Sequence, residues 1–103
     1  MRNLIFGVVS ATFCLNVYSQ QTATIVLSGA TLLTGSSETV EVYDMNCNRT
    51  VGQFTVSGPD GQTTVGPVCV NDSGYINIKR RKLPNTIWHQ NSLMKPGESF
   101  NPS

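Results

Sequence analysis

From Thr22 to Lys79 the chain alternates apolar and polar residues with a period of two, in short runs separated by glycine, proline and asparagine turns. Side chains alternate across a strand with that period, whereas a helical face repeats near 3.6 residues. In residues 39–45, Val40 and Val42 fall on one side and Thr39, Glu41 and Tyr43 on the other. In 50–56, Phe54 and Val56 oppose Gln53 and Thr55, and in 75–79 Ile76 and Ile78 share a side. Residues 22–28 and 62–70 add two β-branched runs, and 86–89 a last short one. The stretches Ser57-Gly58-Pro59-Asp60-Gly61 and Asn71-Asp72-Ser73-Gly74 are turns by composition. Gly66-Pro67 marks a bulge or a sheet edge. Together these runs predict an all-β chain, a small antiparallel β-sandwich or barrel of five to seven short strands. The turn at 58–61 predicts a hairpin in which position 69 faces 50 and position 47 faces 72.

Residues 1–19 read differently. Arg2 precedes an apolar stretch from Leu4 to Leu15, and Val17 and Ser19 fit the small-residue positions of a cleavage site before Gln20. This is the pattern of a cleavable secretory signal peptide. The apolar stretch falls short of the roughly 20 residues a membrane-spanning helix requires, so no membrane span is expected. The domain reading is thus a signal peptide at 1–19, a β-sandwich at 20–90, and a proline-rich tail at 91–103 with little order.

Cleavage removes Cys14 and leaves Cys47 and Cys69 in the remaining 84 residues. Two cysteines in an exported chain predict one disulfide. So short a chain is near the lower limit for a self-sufficient core, which makes the bridge structural. In the expected hairpin it would staple the open end. No CxxC spacing or histidine cluster suggests a metal site.

The charge is uneven. The whole chain carries a net +1, too little for a protein that coats nucleic acid. Residues 20–78 carry five acids against Arg49 alone, while 79–103 carry five bases against Glu98 alone. Four of those bases form one run, Lys79-Arg80-Arg81-Lys82. The run has three readings. It is a solvated strand end that keeps an edge from aggregating. It docks an acidic partner, whether nucleic acid, an anionic lipid head group or a nuclear import receptor. Or it is a dibasic site where a processing protease releases a peptide starting near Leu83. In the second reading Trp88 and Tyr75, near it in sequence, add stacking.

Enzymatic signatures are sparse. The single histidine, His89, has no nucleophile placed beside it by any motif, and the carboxylates are scattered. No phosphate-binding loop, dinucleotide fingerprint or metal-ligand pattern occurs, so neither enzymatic activity nor a cofactor is expected. Asn48-Arg49-Thr50 and Asn71-Asp72-Ser73 are N-glycosylation sequons, each within two residues of a cysteine. A glycan on Asn48 or Asn71 would cover one end of the sandwich. Plain turn chemistry is the other reading of both asparagines.

The segment Glu41-Val42-Tyr43-Asp44-Met45-Asn46-Cys47-Asn48 resembles the strand leading into the second cysteine of the MAX effectors, small secreted proteins of plant-pathogenic fungi. That family has six-stranded β-sandwiches with one disulfide, which ties the first strand to a later one; here no cysteine lies near Gln20. The resemblance implies a non-enzymatic protein that binds host proteins through strand edges and basic or aromatic patches. The expected function is therefore that of a secreted effector-like protein, active in virulence, that binds a host component through Lys79, Arg80, Arg81 and Lys82. Nucleic acid is a further partner that the basic run allows, and the host cell or its nucleus a further destination. The alternatives are a structural or adhesive protein of the extracellular surface or wall, and a peptide precursor.

Overall fold

The computed structural model describes residues 20–103; the signal peptide read at 1–19 lies outside the described residues. The order is β1 (Thr22–Ser28), β2 (Ser37–Asp44), β3 (Arg49–Ser57), β4 (Gln62–Cys69), β5 (Ile76–Lys82), β6 (His89–Met94) and β7 (Ser99–Phe100). They form two sheets, a three-stranded one ordered β4-β1-β7 and a four-stranded one ordered β3-β2-β5-β6. The all-β reading and the strand count hold. Among the described residues no helix is long and apolar enough to cross a membrane.

The alternation sets the core. Ile25 and Leu27 of β1 and Val65 and Val68 of β4 point from one sheet toward Val40 and Val42 of β2, Val56 of β3 and Ile76 and Ile78 of β5 in the other. All nine are buried. Fully burying each such side chain stabilises the fold by roughly 1.5–3 kcal/mol relative to leaving it exposed.

Two expectations are corrected here. The first concerns the hairpin. β3 and β4 belong to different sheets: β3 pairs with β2 from Ser37↔Ser57 to Asp44↔Arg49, and β4 pairs with β1 from Thr22↔Cys69 to Ser28↔Gln62. In a flat hairpin Val56 and Val65 would lie on one sheet with nothing opposite. Turning the chain through a corner sets them face to face across the core. Two side-chain bonds link β3 to β4 along the corner. Thr63 Oγ1 donates to the Thr55 carbonyl at 2.7 Å, and Arg49 donates to the Pro67 carbonyl at 2.8 Å.

The second concerns residues 91–103. They are structured: β6 runs to Met94, and β7 lies parallel to β1 with Val26 opposite Ser99 and Leu27 opposite Phe100. Met94 and Phe100 are 5% exposed and join the core. The proline-rich composition concealed these two apolar anchors, which lie on separate strands and so form no continuous period. The strand expected at 86–89 begins later, as β6 at His89, and runs on to Met94.

The corner leaves no room for side chains at its glycines. A Cβ on Gly61 would sit 2.1 Å from the Ser57 carbonyl oxygen, which accepts the Gly61 N–H at 3.0 Å. Gly61→Ala must push that carbonyl away and loosen the bond. The expected cost is about 2 kcal/mol, read as a lower midpoint in chemical denaturation with unchanged slope. An unchanged midpoint would show that the corner is pliable.

Candidate binding surface

The basic run does not lie at a strand end. It occupies the second half of β5, which is hydrogen-bonded to β2 on one side and β6 on the other. Successive side chains of a strand point to opposite faces, so the run divides into two pairs.

Arg80 and Lys82 continue the inward row of Ile76 and Ile78, opposite the buried Val42 and Val40. Arg80 donates from a terminal nitrogen to Asn91 Oδ1 on the neighbouring strand. Its Nε is buried and has no hydrogen-bond partner among the described residues. Burial lowers the Arg80 guanidinium from its ordinary value by penalising the charged form. Both side chains are half-buried.

Lys79 and Arg81 stand on the outer face of the four-stranded sheet. The register sets Tyr43 opposite Lys79 and Glu41 opposite Arg81. Lys79 Nζ lies 5.3 Å from the centroid of the Tyr43 ring and 5.5 Å from that of Trp88. Arg81 Cζ lies 5.3 Å from the centroid of Trp88. Each such contact is worth roughly 0.5–1 kcal/mol at an exposed site. Arg81 also donates from Nε to Glu41 Oε1 at 2.8 Å, approaches the same oxygen through a second nitrogen at 2.6 Å, and donates to the Asn85 carbonyl at 3.0 Å. Its charge is thus partly neutralised and its orientation fixed. Lys79 is held by rings alone, with no acidic partner among the described residues.

Trp88 is not a core residue. It is 37% exposed and lies in the segment between β5 and β6. The second aromatic beside the run is Tyr43, not Tyr75. Tyr75 sits at the far end of β5, where its carbonyl accepts a bond from Asn46. Sequence reasoning missed Tyr43 and Glu41 because strands distant in sequence place them there. Their alternation with Val40 and Val42 did mark them as outward-facing.

The disulfide lies at the other end of β2. Cys47 and Cys69 are joined with their Cα atoms 6.0 Å apart. Cys69 ends β4 and Cys47 follows β2, so the bridge ties one sheet to the other instead of closing a hairpin. Beside it, Asp44 is fully buried. Its Oδ1 accepts the N–H groups of Asn46 at 3.0 Å and Cys47 at 3.3 Å, and its Oδ2 accepts that of Cys69 at 2.8 Å. Asn46 donates its side-chain amide to the carbonyls of Cys69 at 2.9 Å and Tyr75 at 3.0 Å. Ligand atoms of Asp44, Cys47 and Cys69 lie within 4.8 Å of one another. The two sulfurs are bonded together and the carboxylate is occupied by backbone donors, so this cluster is a structural knot.

Asn48 and Asn71 are both exposed and flank this knot. Asn48 has φ 50, a left-handed conformation that asparagine tolerates better than most residues. The Asn71 side-chain oxygen Oδ1 accepts the N–H groups of Ser73 and Tyr75, each at 3.0 Å. This closes the turn into β5 through the oxygen, whereas a glycan would be carried by the amide nitrogen.

No family model matches the chain, nor does any curated protein or solved structure.

Proposed function

We propose that the chain is a secreted, non-enzymatic, effector-like protein that docks on an acidic surface of a host protein through the outer face of its four-stranded sheet. The observation that carries this reading is the placement of Lys79 between Tyr43 and Trp88, with Arg81 beside the same indole. Two cations and two rings on a rigid sheet give a carboxylate-bearing partner oriented charge and low-entropy contact area. The host as the place of action rests on the resemblance of residues 41–48 to the MAX effectors, and export rests on residues 1–19.

The division of the run narrows the readings. A receptor for linear basic signals needs an extended segment with its backbone open. A processing protease needs the same. In β5 the backbone of Lys79 and Arg80 is paired on both edges, and that of Arg81 and Lys82 on the β2 edge. Release of a peptide from Leu83 onward would also remove Met94 and Phe100 from the core. The folded domain therefore favours docking by the outer pair over nuclear import or peptide release.

The test is deletion followed by complementation. Loss of the protein is expected to impair host colonisation, and the wild-type chain to restore it. The Lys79→Ala/Arg81→Ala double variant gives up three ring contacts worth about 1.5–3 kcal/mol together and should still fold, with an unchanged circular dichroism spectrum, yet fail to restore colonisation. The Lys95→Ala control, at an exposed turn position, should restore it. Expression confined to growth away from a host, with no colonisation defect on deletion, would overturn the reading. Stable retention in the wall fraction would favour the structural or adhesive alternative.

A further inference from the structure

The four-stranded sheet ends at β6 (His89–Met94), whose sequence His89-Gln90-Asn91-Ser92-Leu93-Met94 contains no lysine, arginine, aspartate, glutamate or proline. Among the described residues its backbone is hydrogen-bonded to β5 alone. Soluble proteins shield exposed edges with such residues, with very short strands or with covering segments. The other edges here are shielded in those ways. β7 has two residues, β4 carries Pro67, and β3 meets β4 at the bonded corner. A bulge in β6 where Ile76 pairs Met94 and Ile78 pairs Asn91, with Leu93 at φ 57, shields only its C-terminal end.

The exposed apolar side chains flanking this edge indicate the occupant. Ile87 is 66% and Leu93 is 68% exposed, and they lie three residues on either side of Gln90. In an antiparallel pairing of β6 with itself, a two-fold axis at Gln90 sets Gln90 opposite Gln90 and His89 opposite Asn91 as the regular ladder, while Ile87, ahead of the strand, and Leu93, at its bulge, lie just outside that ladder with Ile87 of each copy on the side of Leu93 of the other. Each apolar residue then gains an apolar neighbour from the other copy just beyond an end of the ladder. One patch serves both copies, as a closed two-fold interface requires. The 84 residues that follow the leader carry six bases and six acids, so no net charge holds two copies apart.

We infer that two copies of this chain pair through β6, joining their four-stranded sheets into one of eight strands. The axis stands perpendicular to the sheet, so both outer faces look the same way. The Lys79–Trp88–Arg81 cluster is then presented twice on one surface. The pairing stands on the edge geometry alone and is independent of what that surface binds.

The experiment is a mass measurement in solution by light scattering or sedimentation on the chain from Gln20 to Ser103, at concentrations up to on the order of 100 μM. Wild type is expected to give the mass of two chains. Gln90→Lys opposes two like charges at the axis and Gln90→Glu does the same with the other sign; each should weaken pairing by at least about tenfold. Gln90 is exposed, so both variants should keep the wild-type unfolding midpoint. Mixing the two variants should restore the pair as a heterodimer, an outcome that a folding defect would not give. A single-chain mass for wild type across that range would overturn the inference. So would a dimer that neither variant weakens.

Discussion

Replacing Asp44 by alanine is expected to cost about 3–5 kcal/mol, the largest loss for any single side chain in this fold. The carboxylate is fully buried and receives three backbone N–H groups, from Asn46, Cys47 and Cys69. Removing it leaves those donors in a site that water reaches poorly, and each pays its own desolvation cost. At roughly 0.05–0.15 kcal/mol per residue, a domain of this size holds about 4–13 kcal/mol in total, so the variant should unfold at much lower urea than wild type. Circular dichroism with urea titration reads this directly. Asp44→Asn is the informative companion. It keeps the shape and one acceptor but turns an amide toward one of the donors, so its midpoint should fall between wild type and alanine. An alanine variant within about 1 kcal/mol of wild type would show that water or a shifted backbone takes over the donors.

Loss of the Cys47–Cys69 bridge comes next. The two cysteines lie 22 residues apart in sequence, and closing a loop of that length stabilises by about 3 kcal/mol in the chain-entropy treatment. Here the bridge also fastens one sheet to the other where Asp44 and Asn46 make their bonds. Cys47→Ala/Cys69→Ala should therefore unfold at markedly lower urea than wild type, and reduction of the wild-type chain should reproduce the shift. Because Asp44 and the bridge share one backbone cluster, the losses should not add. The triple variant should cost less than the sum of the two separate changes. Strict additivity would mean that the knot is two independent fastenings.

The period-two pattern made β2, β3 and the first half of β5 legible, because half-buried strands must alternate. Val40, Val42, Phe54, Val56, Ile76 and Ile78 all face as their spacing required. Strand pairing was not legible. Whether the turn at 58–61 closes a flat hairpin or a sandwich corner depends on what covers Val56 and Val65, and that cover comes from β1 and β2. The same non-local pairing hid the candidate surface. Lys79 and Tyr43 are neighbours only because β5 joins β2. Alternation alone, however, was enough to divide Lys79 and Arg81 from Arg80 and Lys82 once the strand was extended through Lys82. Met94 and Phe100 were missed because Met94 has only Leu93 beside it and Phe100 stands alone, too few apolar residues for either period to be counted.

The parallel seating of β7 beside β1 orders events in time. Val26 meets Ser99, 73 positions further along the chain, the kind of distant closure that makes folding slow. A ribosome delivers the first strand early and its neighbour almost last. The three-stranded sheet can be completed only when the whole polypeptide is free, and until then the nascent chain stays pliable. Under the export proposed above, that order of events would let the chain pass a translocation channel before the sandwich closes.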